Sequence, residues 1–200
     1  MRFIAGGLAA LLIAGSAQAE APPCAPPADL QLTADDAGRL KDLPASRARG
    51  LAAVKREADA EVGGVVARLF EGGPRPLSAV EPGKYRCRTI KLGSQIAGLQ
   101  SVVYGYFACT IKTDAEGWTL AKVSGSQNFT GTLTPAGEGL LFKGASHYGY
   151  EKPRRYGDNP EHDLVGCLLA APSGARHYIL ELPSPALESL HDVIELEPAR

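Results

Sequence analysis

The residues of this chain that could do chemistry are thinly spread. Cys24, Cys87, Cys109 and Cys167 form an even set with no C-x-x-C pair, which argues for disulfides over metal or redox chemistry. His147, His162, His177 and His191 recur roughly every 15 residues. Metal-binding histidines usually include a close pair, such as two on one helical face, so these four read as single packed or exposed side chains and no metal site is expected. Glu151, Glu181, Glu188 and Glu195 are scattered. A glycosidase pair needs two carboxylates at a defined separation, which the sequence does not set. Ser126, in Gly125-Ser126-Gln127-Asn128, lacks the G-x-S-x-G elbow and has no acid–histidine pair beside it, so Gln127 reads as a turn residue. Walker and Rossmann glycine patterns are missing. The expectation is therefore no catalytic residue and no cofactor.

Two segments suit binding instead. In Tyr85-Arg86-Cys87-Arg88-Thr89-Ile90-Lys91, strand alternation puts Arg86, Arg88 and Ile90 on one face and Tyr85, Cys87 and Thr89 on the other. With the cysteine inward, the arginines face outward, where they hold an anion bidentately or pair with acids across the sheet. The loop 153–163, Pro-Arg-Arg-Tyr-Gly-Asp-Asn-Pro-Glu-His-Asp, is the longest turn-like stretch and the most charged. Arg154, Arg155 and Tyr156 are its candidate contacts, with Arg88 as a further cation. The competing reading is an ordinary solvated connection whose charges pair among themselves.

These side chains must be placed by two kinds of element. Thr33 opens a short helix with Asp35 and Asp36 in its first turn, ended by Pro44. A second helix is expected over 46–70, from the stripe Leu51, Val54, Ala58, Val62, Val65, Leu69. It is weakened at Gly63-Gly64 and stopped by Gly72-Gly73-Pro74. From Pro82-Gly83 onward the pattern is β, with runs at 84–92, 102–113, 118–123, 129–134, 140–148, 164–170, 177–182 and 193–197. Turn chemistry separates them, as at Pro135-Ala136-Gly137 and Pro172-Ser173-Gly174. Val103, Phe107, Cys109 and Ile111 share one face of their run, with Tyr104, Tyr106 and Lys112 on the other. The expected fold class is mainly β (α+β). It is an antiparallel meander of about eight strands, closed into a small barrel that removes the sheet edges and preceded by two N-terminal helices. An open sandwich is the alternative.

The first nineteen residues read as a secretory signal peptide: Arg2, an apolar run from Phe3 to Ala14, then a small-x-small site at Ala17-Gln18-Ala19. The run is too short for a transmembrane helix, which needs about 20 apolar residues, and no later stretch is longer. The expected organisation is a signal at 1–19, a Pro-rich leader at 20–32, a helical segment at 33–81 and a barrel-like domain at 82–200, with 33–200 one folded unit. Removing Arg2 with the signal leaves 20 basic against 22 acidic groups, a net charge of −2, which argues against nucleic acid as a partner. In an oxidising compartment three cysteine pairings are possible. Adjacent β runs favour Cys87–Cys109, a closure worth about 3 kcal/mol in the chain-entropy account, and leave Cys24–Cys167. Cys24, near the new N-terminus, otherwise stays free or pairs between chains.

The run Gly83-Lys84-Tyr85-Arg86-Cys87-Arg88-Thr89-Ile90-Lys91-Leu92, followed by Tyr104-Gly105-Tyr106-Phe107-Ala108-Cys109, resembles an exported bacterial family known as domain of unknown function 4893. So do Ser124-Gly125-Ser126-Gln127, Pro153-Arg154-Arg155-Tyr156-Gly157 and the closing Leu182-Pro183-Ser184-Pro185-Ala186-Leu187-Glu188-Ser189 with Asp192-Val193-Ile194-Glu195-Leu196. The likeness covers nearly all of the chain after the signal. It implies an exported domain and carries no catalytic residues. Gly83-Lys84-Tyr85 also resembles the Gly-x-aromatic that opens the first strand of lipocalin and avidin barrels, which is an analogy of fold alone.

The expected function is that of a periplasmic or secreted, disulfide-stapled, non-catalytic binding module of the cell envelope, whose partner is an envelope protein or a small polar ligand. Inhibition of a secreted hydrolase is one alternative. An envelope hydrolase working through the scattered carboxylates and histidines is another.

Overall fold

The computed structural model describes residues 20–186 and 188–199; the expected signal peptide lies outside them. Nine strands follow three helices: β1 Gly83–Ser94, β2 Val102–Val103, β3 Phe107–Asp114, β4 Gly117–Lys122, β5 Gln127–Ala136, β6 Gly139–Tyr148, β7 Asp163–Ala170, β8 Tyr178–Pro183 and β9 Ser189–Pro198. Every neighbouring pair is antiparallel. β1 also pairs with β9 from Tyr85↔Pro198 to Ser94↔Ser189, so eight strands close into a barrel and the open sandwich is excluded. The run expected at 102–113 is divided. Residues 107–111 pair with 83–87 and residues 102–103 with 90–91, leaving Tyr104-Gly105-Tyr106 opposite Arg88-Thr89, one residue too many for an unbroken ladder.

Alternation along the strands feeds two cores. The inward set, including Tyr85, Cys87, Cys109, Leu120, Phe129, Phe142, Leu168, Leu180 and Ile194, fills the barrel. The outward set, including Ile90, Leu92, Leu141, Val165, Cys167, Ile179 and Val193, is covered by the helices. Ile90 therefore shares the face of Arg86 and Arg88 yet is fully buried, because the helical layer begins there. Gly131 and Gly144 sit opposite each other in β5 and β6, and the Phe142 ring lies where a Cβ on Gly131 would go, 2.5 Å away.

Three helices form the outer layer where two were expected: α1 Ala34–Lys41, α2 Leu43–Glu57 and α3 Ala60–Phe70. Thr33 caps α1, its side chain accepting from the Asp36 backbone N–H. Pro44 sits in the first turn of α2, where its missing N–H costs nothing, so the chain restarts at once. The expected 46–70 helix breaks not at Gly63-Gly64 but at Ala58, which is left-handed (φ 55°). Asp59 then caps α3 by accepting from Val62 N–H. The break lets α3 turn its Val62, Val65, Val66 and Leu69 stripe onto the shared core.

Both disulfides are formed. Cys87–Cys109 bridges β1 and β3 inside the barrel. Cys24–Cys167 ties the Pro-rich leader to the outer face of β7. No helix among the described residues is long and apolar enough to cross a membrane.

Candidate functional site

The two ends of the barrel differ. At one, Tyr85 and Tyr178 pack with ring centroids 5.8 Å apart and Val80 and Leu77 close the floor. The Tyr85 hydroxyl donates to the Glu81 carbonyl at 2.7 Å. At the other, where β1, β4, β6 and β8 finish, a cavity of about 190 Å3 opens. Phe129, Leu164, Leu182 and Ile194 give it an apolar floor.

Its polar groups come from inward-facing positions near the strand ends. Lys91 and Asp192 are direct cross-strand partners. Lys91 donates to Glu188, and the Asp192 carboxylate accepts from the Ser189 hydroxyl at 2.5 Å. Burial pushes the Asp192 carboxyl up to about 6, against the opposing pull of Ser189 and Lys91. Lys122, 7% exposed, donates to the Gln127 carbonyl and lies 4.2 Å from the Phe107 ring centroid. Among the described residues no carboxylate pairs with it, and burial pushes its amine down. The cavity thus combines a cation with no acidic partner among the described residues and a carboxyl that burial raises to about 6.

The rim is apolar in an unusual way. Ile96, Leu99, Tyr104, Val123, Tyr148 and Tyr150 are the exposed large hydrophobic side chains of the described residues, and all stand in or beside loops at this end. The Tyr148 and Tyr150 rings stack, 5.5 Å apart and 2° from parallel. Singly exposed apolar residues are ordinary; of these six, Tyr148 also lines the cavity.

The long charged loop also lies at this end, between β6 and β7. Arg154 pairs with Glu151 three residues earlier, and Arg155 is exposed. Tyr156 is turned inward: its hydroxyl donates to Asp36 and accepts from Thr33 N–H at 3.0 Å, fastening the loop to α1. Arg88 is on the outer barrel wall, apart from this loop. Its guanidinium donates to Glu195, its cross-strand partner, and stacks 4.7 Å over Tyr106; Arg86 donates to its own cross-strand partner, Glu197, and lies 4.3 Å from the same ring. The outward arginines are thus cross-strand ion pairs.

His177 completes that ladder. Its Nδ1 lies 2.9 Å from the Ser173 carbonyl and its Nε2 2.9 Å from Glu195. The hydrogen bond to Glu195 outweighs burial and pushes the imidazole up. Among the described residues, His177, Glu195 and Glu197 are the group whose donor atoms lie close enough together to hold a metal ion. Arg88 and Arg86 already stand on those two carboxylates, so a dication would meet positive charge there.

The acid–histidine pair that sequence spacing did not reveal is Glu181 with His191, on the outer faces of β8 and β9 under α2. His191 Nε2 lies 3.2 Å from Glu181 Oε1, and Nδ1 is 3.0 Å from Ser46 Oγ. The order resembles a hydrolytic triad, but all three residues are 0% exposed. Ser46 Oγ is committed, donating to the Leu190 carbonyl at 2.8 Å and accepting from Ser184 N–H at 3.0 Å. Arg47 closes the group, donating to both Glu181 oxygens at 2.7 and 2.6 Å. Burial pushes Glu181 up, and the bonds from His191 and Arg47 overcome it, leaving the carboxyl below its usual range. With Ser46, Glu181 and His191 fully buried among the described residues, this network joins α2 to β8 and β9.

The fold and site define a class: a small closed antiparallel barrel with an outer helical layer, two disulfides and one open, partly polar mouth. A family model described as a domain of unknown function (DUF4893) matches residues 29–196, and the chain belongs to that family. Searches of curated proteins and of solved structures find no match.

Proposed function

We propose that the protein is an exported, non-catalytic binding module that takes a small polar ligand into the barrel mouth. The observation that carries this reading is the coincidence at one end of the barrel of the cavity, the apolar rim and the long charged loop. Opposite charges line the cavity wall, and its one hydroxyl–imidazole contact, Ser146 Oγ to His162 Nδ1 at 3.0 Å, has no carboxylate bonded to the imidazole among the described residues, which suits recognition better than turnover. Arg154 and Arg155 are the rim cations of this reading, on a loop that Tyr156 holds in place. Export follows from the hydrophobic leader, with cleavage near Ala19, and agrees with two disulfides.

The test is native mass spectrometry of the mature protein taken from its own compartment, beside a Thr89→Trp variant that fills the mouth. A retained small molecule in the wild type that the variant loses supports the proposal. Absence of any retained species, with no thermal shift from a library of small polar compounds, overturns it. Pull-down from envelope extract with an Arg154→Ala, Arg155→Ala double variant tests the rim. Unchanged partners would remove those arginines from the contact.

A further inference from the structure

We infer that the mouth cavity selects small organic anions, a carboxylate on a compact apolar body, with Lys122 as the counter-charge. This rests on the binding reading above and adds the class of ligand.

The charges of the cavity support it one by one. Lys91 is occupied by Glu188 and faces Asp192. Asp163 accepts from Gly157 N–H at 2.9 Å. His162 is held by the Ser146 hydroxyl at 3.0 Å, and Glu161 stands exposed at the rim. Lys122 alone among the lining cations has no acid within ion-pair distance among the described residues, although it is one of the most buried. An ammonium has three donors, and the Gln127 carbonyl accounts for one. A buried charge without a counter-ion is costly, so an anion that reaches it is favoured twice, by its own pairing and by relief of that cost. The apolar floor of Phe129, Leu164, Leu182 and Ile194 accepts the rest of such a molecule, and the cavity volume limits its size.

The neighbouring carboxyl gives this site a pH signature. Asp192 faces Lys91 from β1 and Ser189 and Glu188 from its own end of β9. Lys122, His147, His162, Glu161 and Asp163 line the same cavity from β4 to β7. With the Asp192 carboxyl raised to about 6, its negative charge is added to the cavity as pH rises through that value. Affinity for an organic anion therefore falls as pH rises through that range.

The experiment is isothermal titration of the intact mature protein with benzoate, and with benzamide as its neutral isostere, at pH 5 and pH 7.5. The inference expects benzoate to bind at least tenfold more tightly than benzamide at pH 5. It also expects Lys122→Met to remove that preference with the fold intact by circular dichroism, and Asp192→Asn to lose less benzoate affinity between pH 5 and pH 7.5 than the wild type does. Equal binding of benzoate and benzamide, or benzoate binding unchanged in Lys122→Met, overturns the assignment of Lys122. If neither probe binds while the native protein retains a ligand that Thr89→Trp loses, the anion class falls and the mouth remains a binding site. If no ligand is retained either, both fall together.

Discussion

Replacing Glu181 by alanine should cost more than any exposed-charge substitution in this protein. The carboxylate is fully buried between α2 and the barrel, where Arg47 donates two bonds to it and His191 lies at 3.2 Å. Removing one member of such a group leaves a guanidinium that is only 15% exposed with the solvent-exposed Glu20, 3.6 Å away, as its remaining acid, a loss of about 3–5 kcal/mol. For a domain of this size each kcal/mol moves the melting point by about 2–4 °C, so the variant should melt roughly 6–20 °C lower. By contrast Arg49→Ala, which breaks a pair with Asp42 that is nearly half exposed on both sides, should cost under about 1 kcal/mol. Urea unfolding at pH 7 supplies both numbers, and an Arg47/Glu181 double-mutant cycle isolates their coupling. The folded Glu181 carboxyl lies below its ordinary value of 4.5, so its contribution is present above that value and is lost as pH falls through the folded one. The gap between wild type and Glu181→Ala should therefore narrow in acid. A loss below about 1 kcal/mol at pH 7, or a gap that widens on acidification, would refute the claim that this network anchors the helices.

Three further outcomes are expected. Serine at Cys24 and Cys167 should cost more than serine at Cys87 and Cys109, because the loops span 143 and 22 residues, worth about 5 and 3 kcal/mol in the chain-entropy account; denaturant titration of both variants ranks them. Gly131→Ala should destabilise by about 1–3 kcal/mol by thermal melting, since the new Cβ would lie 2.5 Å from the Phe142 ring and 2.6 Å from the Lys143 carbonyl, and Phe142→Leu should relieve part of that loss. His177, raised by Glu195, stabilises the fold below its unfolded value of about 6.5, and that contribution is lost as pH rises through the folded one. NMR titration should place its midpoint above 6.5, and His177→Gln should flatten the stability profile there.

Much of the barrel was legible locally. Each expected β run overlaps an observed strand, because period-two alternation and turn residues act over a few positions. The Ala58 break was not, since alanine favours helix and only docking of α3 onto the shared core fixes its left-handed turn. Lys91 lay in phase with Tyr85, Cys87 and Thr89, a usable signal for the cavity wall. A glutamate between Leu180 and Leu182 was a similar signal for a strand covered on both faces.

Taken alone, the order of residues determined the strands, the turns between them and which side chains alternate, together with a cysteine pairing that adjacent β runs favour. Tertiary structure decided which outward faces meet water and which meet helices. It turned Glu181 and His191 into a buried anchor and left Lys122 in the mouth with no acidic partner among the described residues. The physical reason is range: alternation is set by neighbours in the chain, whereas burial and charge pairing depend on groups brought together over more than a hundred residues, as Arg47 and Glu181 are.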